Sequence, residues 1–184
     1  MLSLVVMKTH RLEPLLNPDS IAIVGASNNA ARIGGMPIAH LTKFGYQGQI
    51  YPINPKYEDV FGLRCFPDIE SLPQAPDLVV LAIAAADVLL MLQRCAAKGV
   101  RAVIVYAAGF AEEGAKGAAL QAELEAYVAT TDMVVAGPNL MGFANLNRQV
   151  HTNFASVFNT APMQTGQGSV SLLTQSGNVC AAVY

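Results

Sequence analysis

Apolar residues along this chain cluster in short runs that alternate with longer amphipathic stretches. The short runs are rich in β-branched residues, which is typical of the buried strands of a parallel sheet. These predicted strands cover residues 20–27, 49–54, 77–84, 101–108 and 133–137. The predicted helices cover residues 34–45, 86–98 and 114–130. Pro37 at the start of the first helix, with Gly45 and Gly99 at helix ends, supports these boundaries.

Strands and helices alternate at the spacing of βαβ units, so we predict an α/β fold in which a parallel sheet carries helices on both faces. Ligands of such sheets bind at the carboxyl ends of the strands. The candidate binding residues are therefore in the strand-end loops, which cover residues 25–35, 54–56, 84–87, 107–113 and 137–142.

The alternation stops after Leu146, and this sets the predicted domain organisation. We predict one domain over residues 1–150 and a linker over residues 151–168. Residues 169–184 would then begin another strand, turn and helix. One strand and one helix cannot bury both faces of a sheet, so we expect this to be the truncated start of a second domain.

Composition narrows the classes of function. The chain has 184 residues, of which 53% are hydrophobic and 13% charged, with a net charge of −2 and no run of Lys or Arg, so we expect no nucleic-acid partner. The apolar stretch 78–92 is too short to span a membrane comfortably and contains Asp87. The N-terminus has its apolar run before its basic residues, the reverse of a secretory signal, so we expect a cytoplasmic protein without a membrane partner.

The first strand-end loop has the composition of a phosphate site. Gly25 and Gly34 would let a ligand approach the backbone at a helix start, where free amides favour an anion. Ser27 and Asn28 offer side-chain hydrogen bonds, and Arg32 offers a positive charge. The glycines are too far apart for a GxGxxG fingerprint, and a plain tight turn is the alternative.

The second strand-end loop places Asn54, Pro55 and Lys56 where a nicotinamide-dinucleotide enzyme needs a carboxylate for its ribose hydroxyl. A lysine attracts a phosphorylated ribose instead. This pattern excludes NAD better than NADP, and it suits coenzyme A (CoA), whose ribose carries a 3′-phosphate, equally well. A solvated lysine in a turn stiffened by proline is the alternative.

Catalytic and metal-ligating sets are not apparent in the sequence. His10, His40 and His151 are far apart, and no Ser-His-Asp arrangement can be proposed. The three cysteines are widely spaced without a CxxC pair, so neither a disulfide framework nor a zinc site is indicated. The residues alone predict a domain that binds a phosphorylated ligand.

Five stretches in the same order resemble the NDP-forming acyl-CoA synthetases, a family that includes the ADP-forming acetate–CoA ligases and is similar to the succinyl-CoA synthetase α subunit. They read SIAIVGASNNAARIGG, IYPINPK, VRAVIVYAAGFAEEG, VVAGPNLMG and VSLLTQSGN. The resemblance implies a Rossmann-like CoA-binding domain followed by flavodoxin-like domains. It also implies conversion of an acid, CoA and ATP into acyl-CoA, ADP and phosphate, through an acyl phosphate and a phosphohistidine.

The resemblance also implies roles for individual residues. Residues 25–34 would hold the CoA diphosphate, and residues 54–56 the adenosine end with its 3′-phosphate. Gly109, Phe110 and Glu112 would lie along the pantetheine path, and Asn139 near the thiol. Ala84 lies in the loop that contacts adenine in the family, although the family's proline is missing there.

The family's phosphohistidine motif and ATP-grasp domain have no counterpart in these 184 residues. ATP, ADP and Mg²⁺ would bind there, so the chain alone should bind CoA without turnover. The implied partners are a carboxylic acid substrate and an ATP-grasp domain or subunit, and the oligomeric state stays open, a homo-oligomer included. The alternative is a CoA-binding regulatory module, either stand-alone or part of a protein acetyltransferase. The missing GxGxxG argues against a third class, the NADP oxidoreductases.

Overall fold

A computed structural model describes residues 10–160, 162, 168, 170–176 and 179. Its strands are β1 (Ser20–Val24), β2 (Gln49–Ile53), β3 (Asp59–Val60), β4 (Leu63–Arg64), β5 (Leu78–Leu81), β6 (Ala102–Val105), β7 (Val134–Ala136), β8 (Ala144–Asn145) and β9 (Val150–His151). Its α-helices are α1 (Glu13–Leu16), α2 (Met36–Lys43), α3 (Ala85–Lys98), α4 (Ala115–Val128) and α5 (Val157–Thr160). Two short 3₁₀ helices cover Ala111–Glu113 and Leu146–Arg148.

The central feature is a five-stranded sheet in the order β2-β1-β5-β6-β7, in which every neighbouring pair is parallel. Val24, the last residue of β1, pairs with Ile53 of β2 on one side and Leu81 of β5 on the other. Successive strands are therefore added first on one side of β1 and then on the other side. The predicted α/β class with a Rossmann-like parallel sheet is confirmed.

Both faces of the sheet are covered. On one face, Ala22 and Val24 pack in a cluster with Val88 and Leu92 of α3 and with Leu124 of α4. On the other face, the alternate residues Ile21 and Ile23 join a second cluster that includes residues of α2 and β9. All residues of β1, β5 and β6 are buried, which explains why these strands read as continuous apolar runs.

Two small antiparallel hairpins were not foreseen. β3 pairs with β4, and β8 pairs with β9. The β3–β4 hairpin turns through Phe61 and Gly62, both at positive φ (51° and 76°). Strands of two residues are too short to show a period in the sequence, and Phe-Gly is not a common hairpin turn.

Residues 151–160, which we predicted to open a linker, instead pack against α2. His151, Thr152 and Asn153 are buried, and Phe158 lies in a cluster with Phe44 just beyond α2. The first part of this segment and Phe158 therefore belong to the packed domain, because the fold encloses them.

Half of the predicted second domain at 169–184 lies outside the described residues, and its described part, residues 170–176 and 179, includes no strand. No helix in the described part of the chain is long and apolar enough to cross a membrane.

Candidate functional site

The carboxyl ends of β1 and β5 meet where the strand order changes direction, and this is where an α/β sheet opens a crevice. Gly25 follows β1 with φ of +84°, and a Cβ placed on it would lie 2.3 Å from the carbonyl oxygen of Ala82, just after β5. Only glycine permits this approach. The first and third strand-end loops therefore start in direct contact.

The first loop closes on itself. A Cβ on Gly34 would lie 2.0 Å from the Gly25 carbonyl oxygen, and a Cβ on Gly35 would lie 2.1 Å from that of Asn29. The Ser27 amide donates to the Gly34 carbonyl at 3.3 Å, and the Ser27 Oγ accepts from the Asn29 amide at 3.2 Å. Gly34 and Gly35 thus allow the loop to pack against its own backbone. We predicted from the sequence that Gly34 instead leaves room for a ligand.

The start of α2 is less open than the phosphate-site prediction assumed. The amides of Gly35 and Met36 both donate to the Arg32 carbonyl at 2.9 Å, so a turn within the protein satisfies them. Amides that already have partners are weaker anion ligands than the free ones at a helix start.

The side chain of Asn28 is used within the protein. Its Nδ2 donates to the Asp59 carbonyl at 3.2 Å, and its Oδ1 accepts from the Phe61 amide at 2.8 Å. Asn28 therefore holds the β3–β4 hairpin against the first loop, and only the second N–H of its Nδ2 stays available for the phosphate contact predicted for this side chain.

Asn54 has a similar internal role. Its Nδ2 donates to the Ala26 carbonyl at 2.7 Å, and its Oδ1 accepts from the Lys56 amide at 3.0 Å. The second loop is thereby fixed to the first, and Asn54 sets the path of the backbone that carries Pro55 and Lys56.

The basic side chains of the two loops are open to solvent. Lys56 and Arg32 are exposed, as is Pro55. Within the described residues, neither basic side chain has a hydrogen bond or an ion pair with another group. Their charges are available to an anionic ligand at the edge where β1 and β2 end.

The loops after β5 and β6 carry acidic rather than basic side chains. Ala84 is exposed and caps α3, whose first turn contains Asp87. The Gly109 amide donates to the Glu112 carboxylate at 2.7 Å, and this hydrogen bond lowers the pKa of Glu112 below its ordinary value. Arg32 and Lys56 therefore lie beside β1 and β2, and Asp87 and Glu112 beside β5 and β6. The exposed Glu58 and Asp59 also follow β2, and the exposed Lys116 follows β6.

Phe110 is completely buried in the cluster that packs α3 and α4 on the sheet. The family resemblance implies that Phe110 lies along the path of pantetheine, but its ring is enclosed by the core and cannot contact a ligand in this structure. An apolar residue in a strand-end loop gives no sequence signal that separates these two roles.

The last strand-end loop contains a cis peptide bond between Gly137 and Pro138, and Asn139 follows with φ of +56°. The Asn139 amide donates to the Ala107 carbonyl at 2.9 Å, and its side chain is exposed. The fourth and fifth loops are therefore also joined, and Asn139 lies at the far end of the edge from Lys56.

Two cavities lie at the opposite edge of the sheet, where the strands begin. One has a volume of about 400 Å³ and includes Asp77 and Arg101, which form an ion pair at 2.9 Å. Asp77 also accepts from the amide and hydroxyl of Ser20 at 3.2 and 3.1 Å. The second, of about 420 Å³, is lined in part by Arg148, whose side chain pairs with Asp19 at 2.8 Å. These charges are paired within the protein and brace the strand starts.

No group of three or more His, Cys, Asp or Glu residues that could hold a metal ion occurs in the described part of the chain. The edge combines loops that pack closely through their glycines with exposed basic side chains. Fold and edge together define the class, a doubly wound α/β domain whose strand order changes direction at β1 and β5, where such sheets bind nucleotides.

The chain belongs to the CoA binding domain family, whose model matches residues 19–145. The matched segment contains every strand-end loop described above. The resemblance inferred from the sequence motifs is thereby confirmed at the level of the domain.

Two curated relatives and one solved structure are similar to this chain. The chain is 34% identical over 173 residues to a trans-feruloyl-CoA synthase from an unknown prokaryotic organism, covering 94% of this chain and 24% of the relative. It is 31% identical over 176 residues to the ADP-forming acetate–CoA ligase of Methanocaldococcus jannaschii, covering 96% and 24%. A solved structure of the Ca. Korarchaeum cryptofilum dinucleotide-forming acetyl-coenzyme A synthetase 1, in complex with phosphate and ADP, matches 94% of this chain and 35% of its own with a TM-score of 0.82 and 32% identity. The chain thus spans about a quarter of these curated relatives' length.

Proposed function

We propose that the carboxyl edge of the sheet binds CoA and that the chain is the CoA-binding portion of an NDP-forming acyl-CoA synthetase. The observation that carries this proposal is the match of residues 19–145 to the CoA binding domain family, because it spans all five strand-end loops. The exposed Lys56 and Arg32 supply the positive charge that a ligand with three phosphate groups requires.

The positions of the exposed Arg32 and Lys56 support one orientation of the ligand. The phosphorylated adenosine and the diphosphate lie beside Lys56 and Arg32. The uncharged pantetheine arm crosses toward Gly109, because Asp87 and Glu112 disfavour a phosphate there. The thiol then lies near Asn139, at the other end of the edge.

In the whole enzyme, this chain's residues bind and orient CoA while the chemistry takes place elsewhere. The reaction joins a carboxylic acid to the CoA thiol at the expense of ATP, through an acyl phosphate and a phosphohistidine. An ATP-grasp domain or subunit supplies the nucleotide site, with Mg²⁺. The cytoplasmic location and the division into a CoA-binding domain, a linker and a flavodoxin-like domain belong to the same proposal.

Calorimetric titration of the 184-residue chain with CoA and with NADP tests the proposal. Both ligands carry a phosphorylated ribose, so charge alone does not separate them. We expect saturable 1:1 binding of CoA and binding of NADP at least tenfold weaker. Preferential binding of NADP, or no heat from CoA, would overturn the proposal.

A further inference from the structure

The β3–β4 hairpin presents an aromatic residue in an unfavourable backbone conformation. Val60 pairs with Leu63, so the turn consists of Phe61 and Gly62 alone, both at positive φ. Such a two-residue turn favours Asn-Gly, because a bulky side chain is strained in the left-handed region. Phe61 occupies the position where asparagine would relieve that strain.

Packing in the core does not explain why a phenylalanine occupies this turn position. Val60 is fully buried and Leu63 packs on the same core cluster, but Phe61 is 40% exposed and lies outside the described core clusters. Strained backbone residues cluster at binding and active sites, so the strain at the exposed Phe61 points to a function.

The position of the hairpin indicates what this function is. The Phe61 amide donates to Asn28 at 2.8 Å, which fixes the hairpin tip beside the first strand-end loop. Two other large apolar side chains on the neighbouring loops, Ile33 (45%) and Tyr57 (39%), are also exposed. Exposed apolar side chains therefore occur on the same loops that carry Arg32 and Lys56.

We propose that Phe61 is a binding residue whose ring stacks on the adenine base of CoA. The inference rests on the proposed function, since it assigns the base of a ligand whose phosphates lie at the first two loops. A purine nucleotide needs both kinds of surface, positive charge for its phosphates and an apolar face for its base. The strain at Phe61 is the cost of placing an aromatic ring at the tip of a short hairpin.

Three variants of the 184-residue chain test this role by calorimetry with CoA and by thermal unfolding. Phe61→Asn removes the ring and relieves the turn, Phe61→Tyr keeps a ring, and Gln149→Asn relieves the same positive φ (51°) at a turn by the opposite edge of the sheet. We expect Phe61→Asn to weaken CoA binding by about tenfold, the scale of stacking a base on an aromatic ring. Its Tm should equal or exceed that of the parent, whereas Phe61→Tyr and Gln149→Asn should bind CoA within about twofold of the parent.

Two results would overturn the role of Phe61 while CoA binding by the parent stands. One is an unchanged CoA affinity of Phe61→Asn, and the other is a loss in Phe61→Tyr as large as that in Phe61→Asn. Absence of CoA binding by the parent chain would instead overturn the proposed function, and the role of Phe61 with it.

Discussion

The side-chain amide of Asn54 donates to the carbonyl oxygen of Ala26 at 2.7 Å and thereby joins the loops that follow the two neighbouring strands β1 and β2. The Asn54 Oδ1 accepts from the Lys56 amide on the other side. One side chain therefore fixes the backbone that carries Lys56 relative to the first loop.

Replacing Asn54 with aspartate should separate the two loops. The change keeps the shape but removes the donor and places a carboxylate against the Ala26 carbonyl. We expect the free energy of unfolding in urea to fall by about 1–3 kcal/mol, the cost of a broken hydrogen bond that leaves its acceptor unsatisfied. CoA affinity should fall as well, because Lys56 loses its fixed position.

Gln47→Glu is the matched control for this amide-to-acid change. The Gln47 side chain also donates to a backbone carbonyl, that of Gly45, but in an exposed turn. We expect its unfolding free energy to stay within about 0.5 kcal/mol of the parent. An equal effect of the two variants would show that the Asn54 contact has no special structural role.

The contact between the first and third loops can be tested with two glycines. Gly25 and Gly45 both have positive φ, but an added Cβ meets the Ala82 carbonyl at 2.3 Å only at Gly25 and meets nothing within 4 Å at Gly45. Gly45→Ala should therefore cost only backbone strain, about 1–2 kcal/mol. Gly25→Ala should cost about 1–3 kcal/mol more, because the strand ends must move apart. Urea unfolding measures the stability of both variants. Equal losses of unfolding free energy would contradict the close approach of Gly25 to the Ala82 carbonyl.

Acid should destabilise the fold through His151. Its ring stacks on Phe44 with centroids 3.9 Å apart. Burial lowers its pKa from 6.5 to about 4, and electrostatic interactions with the neighbouring His40 and Lys43 act in the same direction. Between these pH values the unfolded chain binds the proton and the folded chain does not. The stability of the fold with a neutral His151 is therefore complete above pH 6.5 and is lost progressively as the pH falls toward 4.

The slope of the unfolding free energy against pH that His151 contributes is at most about 1.4 kcal/mol per pH unit, the value for one proton. Chemical unfolding of the parent and of His151→Phe between pH 7 and 4 measures it, and we expect a shallower profile for the variant. His10→Gln, which changes an exposed histidine, serves as the control. A profile unchanged by His151→Phe would show that another group causes the acid sensitivity.

The parallel sheet was predictable because its strands carry their own signal. Every residue of β5 and β6 is buried, so these strands appear as unbroken apolar runs. Gly99 ends α3 in the left-handed conformation that a helix C-terminus often requires, which fixed that boundary from the sequence.

The site was less predictable because its order depends on contacts between distant parts of the chain. The partners of Asn28 on the β3–β4 hairpin are more than 30 positions away. A local pattern cannot distinguish an asparagine that holds a hairpin from one that holds a phosphate. The sequence of residues 151–160 predicts a linker for a similar reason. The contact that holds this segment, a hydrogen bond between a ring nitrogen of His40 and the Asn153 carbonyl, joins residues 113 positions apart.

Lys56 is the residue that favours a ligand with a phosphorylated ribose. Replacing it with alanine should weaken CoA binding by about 1–2 kcal/mol, the scale of a charge-assisted hydrogen bond. Arg11→Ala removes another exposed basic side chain, just before α1, whose Glu13 lines a cavity at the opposite edge of the sheet, and should leave CoA affinity unchanged. Calorimetry at one ionic strength compares the two variants with the parent, and equal losses would indicate a nonspecific effect of charge.

The most direct measurement is the ratio of the affinities for CoA and dephospho-CoA, which differ only in the 3′-phosphate, in the parent chain and in Lys56→Ala. If the edge binds CoA with Lys56 on this phosphate, the parent should prefer CoA by about tenfold, and the variant should bind both ligands about equally. Equal affinity of the parent for CoA and dephospho-CoA would contradict the account.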